Sequence, residues 1–213
     1  MICHYSETSN HLNLMPSPQE IIQDAISVLH ADFLKPLGFK KSGETWCRSG
    51  EWPQVINIQN SSSNTQNLAK ITINLGVSVP QLRTAMGGTP VESNLKEYDC
   101  EVRVRIGQLL PDGGDHWWNV TSADESKALA SSLGEVLKAY GLPFFESMLT
   151  LAAIAGELAR RENHASAAIA YLLSGSRADA ETHMTAAVQG ANKLAVPKLK
   201  RLAARHSLSL PPL

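Results

Sequence analysis

The sequence lacks the marks of a membrane or secreted protein. No apolar run approaches the roughly 20 residues that a transmembrane helix requires. Residues 1–15 have neither the basic segment nor the apolar segment of a secretory signal, and their Ser, Thr, Asn and His content predicts a polar N-terminal tail over residues 1–16. We therefore expect a cytoplasmic protein with no membrane partner. The sequence leaves open whether Met1 or Met15 is the natural start.

The sequence also lacks motifs for metal binding, cofactor binding or catalysis. Its three cysteines, Cys3, Cys47 and Cys100, have no Cys-x-x-Cys spacing, which argues against a zinc or thioredoxin-type site. The histidines are scattered, with no pair at metal-ligand spacing. There is no nucleophile elbow and no phosphate-binding glycine loop. We therefore expect no metal, no cofactor and no catalytic residue, and we expect Cys47 and Cys100 to be buried free thiols.

The chain has almost no excess of charge of one sign, because its formal net charge is −1. Basic residues nevertheless outnumber acidic ones in residues 142–213, which hold an acid-free run: Lys193, Lys198, Lys200, Arg201 and Arg205. This run suits nucleic acid or an acidic partner, but it also suits the solvated face of a helix that buries Leu194, Leu199 and Leu202. The helix interpretation is favoured. Nucleic-acid binding is not expected, because no aromatic side chains for base stacking are interspersed.

What the sequence does contain is the pattern of a β-sheet with one buried face and one solvent-exposed face. Apolar and polar residues alternate over residues 55–59, 70–75 and 100–106, as they do in strands with one buried face. Residues 44–48 predict a further strand just before them. The connections between the first three strands are too short for a parallel crossover. The sequence therefore predicts an antiparallel sheet of about four to five strands.

Two helices are predicted to cover one face of this sheet. Ser17 and Glu20 form a capping-box pattern ahead of an apolar helical stripe. Ser122 and Glu125 form a second capping-box pattern, which predicts the next helix. Residues 17–141 therefore predict an α+β domain with helices packed on one face of the sheet.

The remaining residues, 142–213, predict a helical C-terminal subdomain. A helix is expected over residues 144–161 and a helical hairpin over residues 165–174 and 177–189, whose small and apolar residues are similar to one tetratricopeptide unit. A single unit does not bury its apolar side alone. We therefore expect the hairpin to dock on residues 144–158 or on a partner protein.

The polar face of the sheet is the candidate binding surface. Arg103 and Arg105 alternate with Val102 and Val104, so they project from the face opposite the apolar residues. Guanidinium groups beside amide side chains suit an anionic or carboxylate-bearing partner. A solvated sheet with cross-strand Glu–Arg pairs is the alternative. The candidate residues are Asn57, Gln59, Asn74, Arg103, Arg105, Trp117 and Trp118.

A short loop over residues 112–116 places Asp112, Asp115 and His116 beside two glycines. This composition suits general acid–base chemistry or a metal loop. A turn whose Asp side chains bond the backbone is the favoured interpretation. We therefore assign no catalytic role to this loop.

Several short motifs, taken in order, resemble one known family. They are Gly38-Phe39-Lys40-Lys41, Trp46-Cys47-Arg48, Ile56-Asn57-Ile58-Gln59, Ile73-Asn74-Leu75-Gly76-Val77, Arg103-Val104-Arg105-Ile106-Gly107 and Trp117-Trp118. Over about residues 20–150, the sequence resembles the bacterial family described as domain of unknown function 4304. The resemblance implies a single α+β domain and supplies no reaction, cofactor or catalytic residue.

Two functions remain open at this point. The first is a non-enzymatic protein-binding module, such as an immunity-type or regulatory partner, which would use the polar face and the helical hairpin. The absence of catalytic motifs favours it. The second is a small-molecule enzyme or ligand-binding domain with a site between the Arg103 and Arg105 face and the Trp117–Trp118 loop. A deep pocket with convergent polar groups would favour the second function, and a flat polar face would favour the first.

Overall fold

The computed structural model describes residues 15–211, so Cys3 and most of the predicted tail over residues 1–16 lie outside the described residues. The helices are α1 (Pro18–Leu29), α2 (Pro80–Ala85), α3 (Ser126–Val136), α4 (Leu142–Ser147), α5 (Leu151–Arg160), α6 (His164–Leu173), α7 (Arg177–Gly190) and α8 (Val196–Arg205). The strands are β1 (Lys40–Ser42), β2 (Thr45–Arg48), β3 (Gln54–Asn60), β4 (Ala69–Val77), β5 (Val102–Arg105) and β6 (Trp118–Val120). Single π-helical turns extend α1 over His30–Leu34 and α3 over Leu137–Gly141.

The strands form one antiparallel sheet in the order β1-β2-β3-β4-β5. β3 pairs with one edge of β4, and β5 and β6 pair with different halves of its other edge. The predicted α+β class and the antiparallel sheet are confirmed. Sequence alternation does not predict β1 or β6, because three residues are too few to show a period of two.

The apolar side chains of the strands lie in one core with α1 and α3. The inward residues of the central strands are all buried: Ile56, Ile58, Ile73, Leu75, Val102 and Val104. α1 begins at the predicted capping box, since the Glu20 N–H donates to Ser17 Oγ (3.3 Å) and the Ser17 N–H donates to Glu20 Oε2 (2.7 Å). The cap and the apolar stripe together place α1 against the sheet, as the sequence predicts.

The prediction of one helix over residues 144–161 is wrong. α4 ends at Ser147, and α5 begins at Leu151 after a bend of 115°. Thr150 makes the break, because its backbone is extended and its Oγ1 accepts a hydrogen bond from the Ala153 N–H (3.1 Å). The two short helices therefore run in different directions, which brings the end of α5 towards the sheet edge at β5.

The start of α3 also differs from the predicted capping box of Ser122 and Glu125. The Asp124 carboxylate instead accepts hydrogen bonds from the N–H and the hydroxyl of Thr121, at 2.6 and 2.9 Å. A carboxylate that bonds the backbone two to three residues before it favours a turn over a helix. α3 therefore begins only at Ser126.

The predicted helical hairpin consists of α6 and α7, and it is docked. α6 packs against both α5 and α7. Buried residues of the three helices, among them Leu158, Ala168 and Met184, belong to the same hydrophobic cluster as the core of the sheet. The expected docking on residues 144–158 is confirmed, whereas the division of the chain after residue 141 stays a prediction.

α8 carries the basic run, and its leucines are only partly inward. Leu202 is buried and Leu199 is half-buried, but Leu194 is 93% exposed. The prediction that all three leucines pack inward is therefore wrong for Leu194, because this residue precedes α8 and lies outside the helix's apolar stripe.

Within residues 15–211, no single helix is long and apolar enough to cross a membrane. The segment Ser126–Ser147 and α5 reach that length and composition only as a pair, across the bend of 115°. Both contribute to the main hydrophobic core, for example through Leu133 and Leu158.

Candidate functional site

A row of polar side chains crosses three strands on the face of the sheet opposite α1 and α3. The strand register places Asn57 opposite Asn74, and Asn74 opposite Arg105. Asn74 Nδ2 donates to Gln59 Oε1 (2.8 Å) and to Asn57 Oδ1 (3.4 Å), and Arg105 Nε donates to Asn74 Oδ1 (3.4 Å). Four of the predicted site residues therefore form one hydrogen-bonded network.

Arg105 is held by two further groups from the loop before β6. Its Nη1 forms an ion pair with Asp115 Oδ1 at 2.8 Å, and its guanidinium lies 5.3 Å from the centre of the Trp117 ring. The Trp117 indole N–H donates to the other oxygen of Asp115 (2.8 Å). The hydrogen bond from Arg105, with that from Trp117, holds the pKa of Asp115 below its usual value. These contacts together fix the orientation of the Arg105 guanidinium.

Gly107 allows this loop to lie close to the sheet. A Cβ on Gly107 would lie 2.3 Å from the Gly114 carbonyl oxygen and 2.6 Å from the His116 nitrogen. The Thr72 hydroxyl, which is buried, donates to the His116 carbonyl oxygen (2.8 Å). The loop over residues 112–116 is therefore a docked turn that delivers Asp115 to Arg105.

The polar network borders a cleft of about 540 Å³, which we call the arginine cleft because Arg103, Arg105 and Arg161 line it. Arg161 comes from the end of α5. Its Nε lies 2.6 Å from Glu157 Oε1, and its Nη1 donates to Gln108 Oε1 (3.1 Å). Burial raises the pKa of Glu157, but the hydrogen bonds from Arg160 and Arg161 outweigh it and hold this pKa below its usual value.

Arg103 differs from the other two arginines of the cleft. Its side chain is exposed, and within residues 15–211 no carboxylate or hydrogen-bond acceptor engages it. Glu97 is the other acidic residue besides Asp115 that lines the cleft. Among the described lining residues there is no Ser, Thr, Cys, His or Lys. The described lining residues therefore present three guanidinium groups, and their only side chains that could accept a proton or act as a nucleophile are the carboxylates of Glu97 and Asp115.

The structure separates the two predicted tryptophans. Trp117 lies on the polar face against Arg105, whereas Trp118 pairs with Ile71 in the sheet and packs on the main core. The Trp118 indole N–H donates to Ser132 Oγ on α3 (3.0 Å). Trp118 therefore faces α3 and is not brought together with the other candidate residues.

The two described cysteines lie at the other end of the polar face, with Cys47 in β2 and Cys100 two residues before β5. Both Cys47 and Cys100 are free thiols, but only Cys100 is buried and Cys47 is half-buried. The prediction of burial is thus wrong for Cys47, because this residue packs at the margin of the small buried cluster of Val55, Leu95 and Cys100. A Cβ on Gly76 would lie 2.6 Å from Cys100 Sγ, so only a glycine at this position lets the thiol pack against the sheet. Burial raises the pKa of the Cys100 thiol.

Sequence reasoning missed two further features. Arg161 joins the cleft from a distant helix, and its only local signal is the (i, i+4) spacing from Glu157. His164 and His183, on α6 and α7, face each other with their Nδ1 atoms 3.1 Å apart, although they are far apart in sequence. Burial, and then His164, hold the pKa of His183 below its usual value. Within residues 15–211, no group of three or more His, Cys, Asp or Glu residues is placed to hold a metal ion.

The comparisons with known proteins identify a family and no activity. The profile of the family described as Domain of unknown function (DUF4304) matches residues 30–147, which is more than half of the chain. The chain therefore belongs to this family, and the resemblance seen in the sequence is confirmed over that range. No curated protein and no solved structure matches the chain.

Proposed function

We propose that this member of the family is a non-enzymatic binding module, which accepts a carboxylate side chain from an acidic segment of a partner protein in the arginine cleft. One observation carries the proposal: Arg103 presents an exposed guanidinium without a partner among the described residues, beside two arginines that are already oriented. A guanidinium forms paired hydrogen bonds with a carboxylate, and these bonds are stronger than neutral ones.

The charges of the cleft support a single carboxylate as its ligand. The negative charge of Asp115 neutralises that of Arg105, and the negative charge of Glu157 neutralises that of Arg161. Arg103 is therefore the arginine of the cleft whose positive charge has no ion-pair partner among the described residues. Glu97 also lines the cleft and repels a second carboxylate placed beside it. A side chain on an acidic protein segment supplies one carboxylate at a time to Arg103.

The chemistry of the lining residues supports a binding role over catalysis. Ser, Thr, Cys, His and Lys, which commonly act as nucleophiles or as general acids and bases, do not occur among the described lining residues. The Asp115 carboxylate is already occupied by Arg105 and Trp117. The amides of Asn74 and Gln59 occupy each other and add polar surface at the margin of the cleft.

A small carboxylate ligand is the second candidate. The volume of the cleft, about 540 Å³, lies within the range of roughly 300–1,000 Å³ that small-molecule sites occupy. The same Arg103 would then bind a free carboxylic acid instead of a protein side chain.

The test uses a fluorescein-labelled octaglutamate peptide and fluorescence anisotropy at neutral pH and low salt. We expect the peptide to bind, and we expect Arg103→Gln to weaken this binding at least about tenfold, because a hydrogen bond to a charged group contributes about 1.5–3 kcal/mol. The matched control is Arg160→Gln, since Arg160 is an exposed neighbour of Arg161 that does not line the cleft. Equal weakening by both substitutions would show that the peptide binds to the surface charge in general and would overturn the proposal.

Competition separates the two candidates. Unlabelled citrate and unlabelled octaglutamate are titrated against the labelled peptide at constant ionic strength, because salt alone weakens exposed charge interactions. Displacement by octaglutamate at much lower concentration than by citrate supports a protein segment as the partner. Displacement by citrate at the lower concentration supports the small carboxylate.

A further inference from the structure

We propose that a groove between α2 and α8 binds the phosphate group of a small organic phosphate. The groove has a volume of about 730 Å³, which lies within the range of roughly 300–1,000 Å³ of small-molecule sites. The turn after α2, the first turn of α6 and one face of α8 contribute its lining residues. We call it the α8 groove; it shares no lining residue with the arginine cleft.

The α8 groove has a strong excess of positive charge. Its basic residues are Arg83 from α2 and Lys198, Arg201 and Arg205 from α8, and they face one acid, Glu101. Glu101 is already occupied: Oε1 lies 2.7 Å from Arg83 Nε as an ion pair, and Oε2 accepts a hydrogen bond from the Val79 N–H (2.6 Å).

The three basic residues of α8 therefore have no acidic partner on the walls of the groove. None of Lys198, Arg201 and Arg205 forms an ion pair within residues 15–211. Like charges along one helix face repel each other. A bound anion with two negative charges would relieve that repulsion and compensate most of the excess.

Arg205 reaches from α8 to the opposite wall and packs on the turn after α2. A Cβ on Gly87 would lie 2.6 Å from Arg205 Nη1, so the guanidinium occupies the space that a side chain would need. Gly87 has a φ of +89°, a conformation that glycine adopts without strain. His206 Nε2 and the Ala85 carbonyl oxygen lie 2.8 Å apart, which ties the end of α8 to the end of α2. The two walls are thereby fixed around the cationic groups.

A phosphate group fits these residues better than a carboxylate does. A phosphate monoester carries about −1.5 to −2 charges at neutral pH and three acceptor oxygens, whereas a carboxylate carries one charge. Guanidinium groups bind phosphate with paired hydrogen bonds. A protein carboxylate would leave two of the three cations of α8 uncompensated.

The rest of the lining favours a small molecule over a nucleic-acid strand. Met86, Leu199 and Leu202 give the groove an apolar side, which suits the uncharged body of an organic phosphate. No aromatic residue lines it among the described residues, and non-specific single-strand binding depends on bases that stack on aromatic rings.

The test measures binding of AMP, inorganic phosphate and adenosine to the full chain by isothermal titration calorimetry at constant ionic strength. We expect AMP and inorganic phosphate to bind and adenosine not to bind. The double substitution Arg201→Gln with Arg205→Gln should weaken AMP about tenfold or more, because it removes two charged hydrogen-bond donors.

The matched control is Lys200→Gln, which removes the same charge from an exposed position of the same helix that does not line the groove. It should change AMP binding by no more than about twofold. Arg160→Gln, which removes an exposed arginine that lines neither cavity, should also leave AMP binding unchanged. If circular dichroism shows that the double variant is unfolded, Lys198→Gln replaces it with the same expected direction.

Four results would overturn the proposal. They are the absence of AMP binding at millimolar concentration, equal weakening by Lys200→Gln and by the groove variants, adenosine binding as tight as that of AMP, and tighter binding of a single-stranded oligonucleotide than of AMP at equal phosphate concentration. The last result would identify a nucleic-acid strand as the partner.

Discussion

The two faces of the sheet are built from the same strands and are held together by different forces. On the inner face, Ile56, Ile73 and Val104 are buried against the helices. On the outer face, their strand neighbours Asn74 and Arg105 are partly exposed and are joined by hydrogen bonds and an ion pair. Burial of one such apolar side chain contributes about 1.5–3 kcal/mol, whereas an exposed ion pair contributes about 0–1 kcal/mol.

The difference shows how one sheet separates stability from binding. The hydrophobic effect does not depend on direction, so the buried side chains of the inner face supply most of the free energy of folding. Because these side chains are covered by helices, they are not accessible to a ligand. Hydrogen bonds and ion pairs do depend on direction, so the outer face adds little stability and instead fixes where its donors point. We therefore expect substitutions on the inner face to change the free energy of unfolding and those on the outer face to change binding.

The largest expected difference is between two neighbours in β4. Ile73→Ala should lower the free energy of unfolding by about 2–5 kcal/mol, because it leaves a cavity in a fully buried site. Asn74→Ala should lower it by about 1 kcal/mol, because it removes hydrogen bonds between partly exposed groups. Urea denaturation of both variants measures the difference. Equal losses would contradict the distinction between the faces.

The two tryptophans give the next comparison. Trp118→Ala should destabilise the fold by about 3 kcal/mol, since Trp118 packs on the core and its indole N–H donates to Ser132. Trp117→Ala should cost less than about 1 kcal/mol, since Trp117 contacts Asp115 and Arg105 on the outer face. Thermal denaturation followed by circular dichroism compares the two. A larger loss for Trp117 would mean that the outer face carries the stability.

A matched pair of glycines tests the docked loop. Gly107→Ala should destabilise the fold by about 1–3 kcal/mol, because its Cβ would meet backbone atoms of the loop at 2.3 Å. Gly134→Ala in α3 should be neutral or slightly stabilising, because its nearest neighbour is the Leu29 side chain at 3.6 Å and alanine favours helix by about 1 kcal/mol. Chemical denaturation gives both values. A neutral Gly107→Ala would show that the loop is not held against the sheet.

The smallest expected effect is the pH dependence of the outer face. The pKa of Asp115 is lower in the folded protein than in the unfolded chain, so its contribution to stability is present above about pH 3.9 and is lost as the pH falls through the folded-state pKa. NMR titration of the Asp115 carboxyl should therefore give a midpoint below the usual value. In Arg105→Gln the midpoint should rise, because the hydrogen bond from the Arg105 guanidinium, which is the main cause of the lowered pKa, is removed. An unchanged midpoint would mean that Arg105 does not hold Asp115 in solution.

Much of the fold follows from local sequence rules. The period-two alternation places Asn57, Asn74 and Arg105 on one face, because successive side chains of a strand point to opposite sides. The capping box at Ser17 and Glu20 marks the start of α1 in the same local way. The predictions fail where two local signals compete. At Thr150 the apolar pattern predicts one continuous helix, but the Thr150 hydroxyl caps a new helix and so divides it.

The sequence by itself therefore determined the α+β class, the central strands of the sheet with their two faces, the helical hairpin and the family. Only the tertiary structure decided that Arg161 joins Arg103 and Arg105, that Trp117 and Trp118 lie on opposite faces, and that the α8 residues meet Arg83 in one groove. The physical reason is that the two kinds of feature depend on interactions of different range along the chain. Alternation and capping depend on residues within a few positions of each other, whereas convergence of side chains from separate elements depends on how the core packs those elements together.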